Sequence, residues 1–229
     1  MERGLYIAAT GMVAEMVRQD QIANDLANGS TPGYKADRST QRSFGDLLLS
    51  NTVSGQTVGP LGLGAQIDTI RTDTSPAPLR ETGEPLDFAI QGDGWFGVQT
   101  PQGVRYTRNG QFQLSPQGAL VDAMGNPVIG RGGAIQVGPD GRVDPAQLAV
   151  FAVNNPRKVG DSYVTGAAGG QATGIVRAGA LEGSNVEPSR SMVDMIASFR
   201  AFEAGQRVIR TIDETLQKAS NVVGGLPGS

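Results

Sequence analysis

Residues 1–34 read MERGLYIAATGMVAEMVRQDQIANDLANGSTPGY, and residues 189–223 read SRSMVDMIASFRAFEAGQRVIRTIDETLQKASNVV. These two stretches decide the fold, because each has the apolar spacing of a long amphipathic helix. The chain between them is rich in glycine and has the alternation and turns that are typical of β-structure. This arrangement predicts two helical ends that pair with each other and a central β-module that is displayed.

In the first stretch, apolar residues recur at alternating steps of four and three, which is the a/d spacing of a coiled coil. The members of this series are Leu5, Ala9, Met12, Met16, Gln19, Ala23 and Leu26. Ile22 widens the apolar face, and Asn28–Gly29 is typical of a helix end. Asn24 and Asn28 are candidate hydrogen-bonding positions at the turn. The same spacing also fits a helix that only covers the core of its own domain.

The second stretch predicts a longer helix, with Ser189 or Ser191 as its N-cap. At about 1.5 Å per residue, such a helix reaches about 45–50 Å, which exceeds what the β-module needs for cover. We therefore expect the apolar faces of both helices to pack against each other and against neighbouring subunits. The members of the second series are Met195, Phe199, Phe202, Gln206, Ile209, Ile212, Leu216, Ala219 and Val223.

These patterns predict an α+β fold with a central antiparallel all-β domain and with long N- and C-terminal helices that pair with each other as a coiled coil. The predicted segments are the N-terminal helix of an axial helical domain (1–35), a linker with short elements (36–80), the central β-domain (81–180), the C-terminal helix of the axial domain (181–224) and a flexible tail (225–229).

Within the linker, residues 42–49 fit a short helix or a strand, residues 50–64 a loop, and residues 65–72 a strand. In the β-domain, turn signals every 8 to 12 residues indicate an antiparallel sheet, sandwich or open barrel. Residues 166–174, GAAGGQATG, predict a flexible loop.

Composition excludes several kinds of function. Cysteine and histidine are absent, which removes thiolate chemistry, the usual general base and the commonest metal ligand. The net charge is −3, and no basic cluster suggests a nucleic-acid partner. No apolar run is long enough to predict insertion into a membrane. We therefore expect a protein that is not an enzyme, has no cofactor or metal, and carries no cleaved signal peptide.

Three features of the β-domain could carry chemistry, and each has a simpler reading. Residues 92–97, GDGWFG, match the glycine spacing of dinucleotide sites, but the strand-like residues after Gly94 favour a β-turn. Two of the aspartates in this domain could form the paired carboxylates of a glycosidase, but the preference of aspartate for turns accounts for their positions without any catalytic role. An aromatic group fits the core of the sheet or a sugar-binding platform. The carboxylates are Asp87, Asp93, Asp122, Asp140 and Asp144, and the aromatic residues are Trp95, Phe96, Tyr106 and Phe112.

Several motifs resemble the flagellar hook–basal-body rod protein family. Residues 22–35, IANDLANGSTPGYK, resemble its N-terminal signature, A-N-N-L-A-N-x-x-T-P-G-[FY]-K. Residues 86–96, LDFAIQGDGWF, and 106–110, YTRNG, look like its central segment. Residues 179–186, GALEGSNV, followed by MVDMI at 192–196, are similar to its C-terminal signature. Two departures stand out: Asp25 replaces the usual Asn, and Asp194 replaces the usual Glu.

The resemblance implies a structural subunit of the bacterial flagellar rod that assembles helically and transmits torque from motor to hook. It also implies export through the flagellar type III apparatus, partners among the rod and hook axial proteins, and a location in the basal body, which is periplasmic if an outer membrane is present. Residues 94–96 and the short chain favour the proximal-rod type over the distal-rod type. The alternative is a secreted glycan-binding β-domain that its helical ends oligomerise.

Overall fold

The N-terminal helix ends where the sequence places a turn. A computed structural model describes residues 2–43, 46–50, 57–138, 140–160 and 162–224. Helix α1 spans Glu2–Ala27. The amide of Gly29 then donates to the Leu26 carbonyl at 3.2 Å, and the Thr31 hydroxyl donates to Asn28 Oδ1 at 3.1 Å. These local bonds satisfy groups that the helix leaves without partners. The predicted helix end at Asn28–Gly29 is therefore confirmed.

The C-terminal helix, α2, spans Pro188–Gly224, so its 37 residues reach about 55 Å. Its first residue is a proline, which suits this position because the first helical amide has no partner within the helix. The prediction of Ser189 or Ser191 as the N-cap was wrong by two to four residues, because Pro188, with its fixed φ, is already the first helical residue and Glu187 precedes it.

In the described part of the chain, sixteen strands lie between the two helices, and the pairings within residues 46–62 and 79–182 are antiparallel. Their bounds are β1 Asp37–Ser43, β2 Asp46–Ser50, β3 Thr57–Gly62, β4 Ala65–Thr72, β5 Leu79–Glu81, β6 Phe88–Gln91, β7 Trp95–Thr100, β8 Gly103–Thr107, β9 Gln113–Leu114, β10 Leu120–Val121, β11 Val128–Gly130, β12 Gly133–Ala134, β13 Val150–Val159, β14 Tyr163–Gln171, β15 Ile175–Ala178 and β16 Ala180–Glu182. The predicted α+β class is confirmed.

The chain divides into two compact units. The helical unit comprises Met1–Asn24, Arg38–Ile70 and Ser189–Ser229, and the β-unit comprises Asp25–Asp37 and Arg71–Pro188. The chain ends therefore share one unit although they are far apart in the sequence.

The β-unit is built on a sheet with the strand order β12-β11-β7-β13-β14-β8, in which β8 also pairs with β7. That second pairing joins β7, β8, β14 and β13 into a closed ring. Burial of apolar side chains inside the unit is the main favourable term in its folding. The buried cluster contains Phe88, Ile90, Phe96, Phe112, Leu120, Val128, Ile135, Val143, Leu148 and Val150.

Two segments that resemble loops in the sequence contain strands. In the segment 50–64, predicted as a loop, β3 pairs with β2, while residues 51–56 lie outside the described part. In the segment 166–174, also predicted as a loop, most residues belong to β14, which pairs with β13. A Cβ on Gly166 would lie 2.5 Å from Val153 Cγ1, so glycine marks a close approach of two strands there. The strand predicted at 65–72 is confirmed as β4.

Candidate functional site

Within the helical unit, α1 and α2 contact each other in opposite directions. Ser198 Oγ donates to Glu15 Oε2 at 2.5 Å. A Cβ added to Gly205 would lie 2.7 Å from Met12 Cγ, so the absence of a side chain permits this approach. Nearer the start of α1, a Cβ on Gly4 would lie 3.5 Å from an Ile212 side-chain carbon. Because numbers rise along α1 as they fall along α2, the helices run antiparallel.

The inward face of α2 differs in part from the predicted one. Met195, Phe202 and Ile209 are partly buried, as is Ile212. Between them, the residues that turn inward are Ser198 and Gly205, which are small and polar or lack a side chain. The heptad spacing allows positions 198 and 205 to face α1 as well as positions 199 and 206. The apolar pattern of the sequence favoured Phe199 as the inward residue. The coiled-coil pairing along the full helices stays a prediction.

The structure places the predicted packing residues in three environments. Ile22 is buried in α1. The partly buried positions are Met12, Leu26, Asn28, Met195, Phe202, Ile209 and Ile212. The exposed positions are Leu5, Met16, Asn24, Phe199 and Leu216.

Both helices expose large apolar side chains to solvent. Large apolar side chains that remain exposed on a helix are candidates for contact with other proteins. On α1, the exposed apolar residues are Leu5, Tyr6, Ile7, Val13, Met16 and Val17, and on α2 they are Met192, Val193, Ile196, Phe199, Val208 and Leu216. The helical unit therefore offers apolar faces for assembly, whereas the aromatic residues predicted as a possible sugar platform are buried in the β-unit: Trp95, Phe96, Tyr106 and Phe112.

A buried ion cluster in the β-unit joins the three segments that carry the family resemblance. Lys35 Nζ lies 2.6 Å from Glu182 Oε1, and Arg108 Nη1 lies 3.0 Å from Glu182 Oε2. All three side chains are at most 5% exposed. Lys35 also donates to the Ser75 carbonyl at 2.7 Å. Two cations thus share one carboxylate away from water, and burial lowers the pKa of the Lys35 ammonium group.

A second polar group surrounds Asp25 within the same unit. The Tyr34 hydroxyl donates to Asp25 Oδ1 at 2.8 Å, and the Asp37 amide donates to the same oxygen at 3.2 Å. Lys158 Nζ lies 3.8 Å from the centroid of the Tyr34 ring and 3.2 Å from Asp37 Oδ2. Burial raises the pKa of the Asp25 carboxyl despite these partners.

Asn185, in the segment that follows β16, connects two segments that are distant in the sequence, one at Ala36 and one at Asp73. Its Oδ1 accepts from the Ala36 amide at 2.7 Å, and its Nδ2 donates to the Asp73 carbonyl at 2.8 Å. This role was not predicted, because no local apolar or charged pattern marks Asn185. The signal that could have found it is the resemblance in GALEGSNV itself.

Two of the predicted turn carboxylates, Asp122 and Asp144, stabilise turns. Asp122 Oδ1 accepts from the Met124 and Asn126 amides at 2.9 and 2.8 Å, and its Oδ2 accepts from the Tyr163 hydroxyl. Burial and the contact with Asp122 raise the pKa of Tyr163 to about 12. Asp144 caps the 3-10 turn at Pro145–Gln147. These contacts use the carboxylates for turn geometry, as the simpler reading predicts.

Among the described residues, no cluster of three or more metal-ligating side chains occurs. No helix in the described part of the chain is long and apolar enough to cross a membrane.

Comparison with known proteins adds three family matches along the chain. Residues 5–35 match the flagella basal body rod protein family, residues 89–155 match the flagellar hook protein FlgE/F/G D1 domain, and residues 177–222 match the flagellar basal body rod FlgEFG protein C-terminal family. The order is the one in which the sequence motifs occur.

Individual relatives match over nearly the whole chain. The flagellar basal-body rod protein FlgG of Bacillus subtilis is 32% identical, covering 97% of this chain and 99% of that protein. The flagellar basal-body rod protein FlgF of Salmonella typhimurium is also 32% identical, with the same coverage. FlgF of Escherichia coli is 31% identical over 97% of this chain and 99% of that protein.

Proposed function

We infer that this chain, which belongs to the family of flagellar basal-body rod proteins, is a structural subunit of the bacterial flagellar rod. The observation that carries this inference is the identity of about a third to rod proteins over nearly the full length of both chains. The chain is not an enzyme, and its place is the basal body of the flagellum. Since FlgF and FlgG relatives match equally well, the proximal-rod position stays a prediction.

The function of such a subunit depends on packing, and the helical unit supplies the surfaces. Its exposed apolar side chains would lose water when a neighbouring subunit covers them, which is favourable by about 25 cal/mol per Å² of apolar area. We propose that the exposed members of the predicted set, Leu5, Met16, Phe199 and Leu216, contact other subunits. We propose that the partly buried members Met12, Met195, Phe202, Ile209 and Ile212 hold α1 and α2 together within one subunit.

The chain assembles with other flagellar axial components. We propose in addition that copies of this chain contact each other, that the assembled rod transmits torque from motor to hook, and that the flagellar export apparatus delivers the chain. The buried clusters around Glu182 and Asp25 support a rigid β-unit, because charged groups away from water hold their partners in fixed geometry.

Electron microscopy of basal bodies from the source bacterium, with the gene for this chain deleted, tests the proposal. We expect the rod to be missing or truncated and the hook to be absent, and we expect the length of any remaining rod to show where the subunit lies. Reintroduction of the intact gene is the control and should restore both structures. Intact rods and normal swimming in the deletion strain would contradict the proposed function.

A further inference from the structure

A crevice of about 450 Å³ lies beside the contact between α1 and α2, within the helical unit. Small residues form most of its walls, so the two helices leave room that their own side chains do not fill. The residues that define the crevice are Gly4, Ala8 and Gly11 of α1 and Ala201, Ala204 and Gly205 of α2.

The polar atoms at the crevice already have partners inside the unit. Glu15, the one acidic residue in its lining, accepts from Ser198 Oγ through Oε2 at 2.5 Å and from Gln41 Nε2 through Oε1 at 3.1 Å. An apolar occupant would therefore bury no carboxylate oxygen that lacks a hydrogen bond, which is the usual cost of covering a polar group. The chemistry of the crevice suits apolar side chains.

The same unit exposes a row of side chains that fits this description. Met192, Ile196 and Phe199 are 52%, 55% and 54% exposed. They follow one another at steps of four and three, so they lie on one face of α2. We call these three residues the apolar row.

The crevice and the apolar row face in opposite directions. At about 100° per residue, Ala201, Ala204 and Val208 lie about 60–120° to one side of the α2 face that contacts α1, and the apolar row lies about 100–160° to the other side. One copy therefore cannot insert its own row into its own crevice. In a symmetric pair, each copy would insert its apolar row into the crevice of the other. Both sides of α2 would then have to contact the same partner helix at the same time.

We propose, on the basis of the rod function above, that the apolar row of one copy inserts into the crevice of a second copy. This contact joins two different surfaces, so each added copy leaves one crevice and one row open. A contact of this heterologous kind produces an open helical assembly when its rotation does not close a ring. It would thus supply a directional contact between rod subunits.

The positions of the two surfaces along α2 also define a stagger. Their centres are separated by about nine residues, or about 13 Å at 1.5 Å per residue. If neighbouring helices run in the same direction, each copy is displaced along the helix axis by about this distance relative to the copy that receives its row.

Cysteine cross-linking in assembled rods tests the proposal, and the chain has no native cysteine to interfere. The full-length variants Ile196→Cys and Ala204→Cys are produced singly, together in one chain, and as a co-expressed mixture, in cells that lack the unmodified gene. Swimming confirms assembly, after which isolated basal bodies are treated with a short bis-maleimide. The control pairs Ile196→Cys with Met124→Cys, since Met124 is 77% exposed in the β-unit.

We expect the doubly substituted chain to give a ladder of covalent oligomers, the mixture to give dimers only, and each single variant to stay monomeric. Dimers from Ile196→Cys alone would indicate a symmetric contact and overturn the proposal. Swimming cells without any cross-link would overturn this inference while leaving the rod function intact.

A second variant covers the case in which the cysteine chains do not assemble. Ala204 is exposed, so Ala204→Phe should fill the crevice without disturbing the fold of the isolated chain. We expect swimming to be lost while the urea unfolding midpoint of the purified chain is unchanged. The control, Val104→Phe, adds the same ring at an exposed position of the β-unit and should swim normally. Normal rods built from Ala204→Phe would exclude insertion into the crevice.

Discussion

Substitution of Glu182 by glutamine should destabilise the β-unit more than substitution of Lys35, one of its two cationic partners, by methionine. Glu182 is 1% exposed and accepts from Lys35 at 2.6 Å, from Arg108 at 3.0 Å and from the Ala77 amide at 3.0 Å. Glutamine keeps one oxygen but turns an amide donor toward the Arg108 donors or toward Lys35. The two buried cations then lose the carboxylate that they share, and removal of one member of a buried ion pair costs about 3–5 kcal/mol.

Substitution of Lys35 by methionine provides the comparison. It leaves Arg108 and Glu182 as a neutral pair, and Glu182 keeps its bond from the Ala77 amide. The main remaining cost is the Ser75 carbonyl that loses its donor, about 1–3 kcal/mol for an unsatisfied buried group. We therefore expect Glu182→Gln to cost more than Lys35→Met.

Urea unfolding followed by tryptophan fluorescence measures both effects. Trp95 is the only tryptophan of the chain, is 6% exposed and lies in the β-unit, so its signal reports unfolding of that unit. Glu81→Gln removes an exposed carboxylate from β5 and should stay within about 0.5 kcal/mol of the unsubstituted chain. A larger loss in Lys35→Met than in Glu182→Gln would refute the reasoning that two cations depend on one carboxylate.

Three further outcomes are expected. Burial raises the pKa of the Asp25 carboxyl in the folded chain, so the charged carboxylate costs stability at any pH above that raised pKa. Asp25→Asn should therefore raise the free energy of unfolding at pH 7, by a margin that shrinks as the pH falls through the raised pKa toward the ordinary value of 3.8. A margin that does not change with pH would contradict this. Gly33→Ala should lower the free energy of unfolding in urea by several kcal/mol more than Gly83→Ala. Both glycines have φ near +70°, but a Cβ on Gly33 would lie 2.2 Å from the Arg108 carbonyl carbon, whereas a Cβ on Gly83 would meet open space. Equal losses in the two variants would contradict the steric argument. Phe199 is 54% exposed, so Phe199→Asp should change the unfolding free energy by less than about 0.5 kcal/mol yet abolish rods in electron micrographs, and normal rods would remove this side chain from the assembly surface.

Much of the fold could be predicted because its signals are local. The end of α1 follows from Asn28–Gly29, whose preference for turn conformations acts within a few residues. The strand at Trp95–Thr100 follows from alternation after a glycine turn. The glycine-rich segment in β14 escaped prediction, since glycine favours loops locally and only its partner strand β13 makes it a strand.

The candidate site was predictable in kind but not in detail. Periodicity identified two apolar helices, yet a series such as Met195, Phe202 and Ile209 fits inward positions at 198 and 205 as well as at 199 and 206. A rule that prefers large apolar residues selects Phe199. In the structure, Ser198 turns inward because its hydroxyl bonds to Glu15, and Gly205 because it admits Met12.

The sequence by itself determined the helical ends, the antiparallel β-character of the middle and the membership in the rod family, because propensity, periodicity and motif order are properties of neighbouring residues. Only the tertiary structure decided which helix face is buried and that Lys35, Arg108 and Glu182 meet. Lys35 and Glu182 are 147 positions apart, and no local pattern encodes a partner at that distance. Such contacts form only when folding closes the intervening chain, and burial then makes their charges depend on one another.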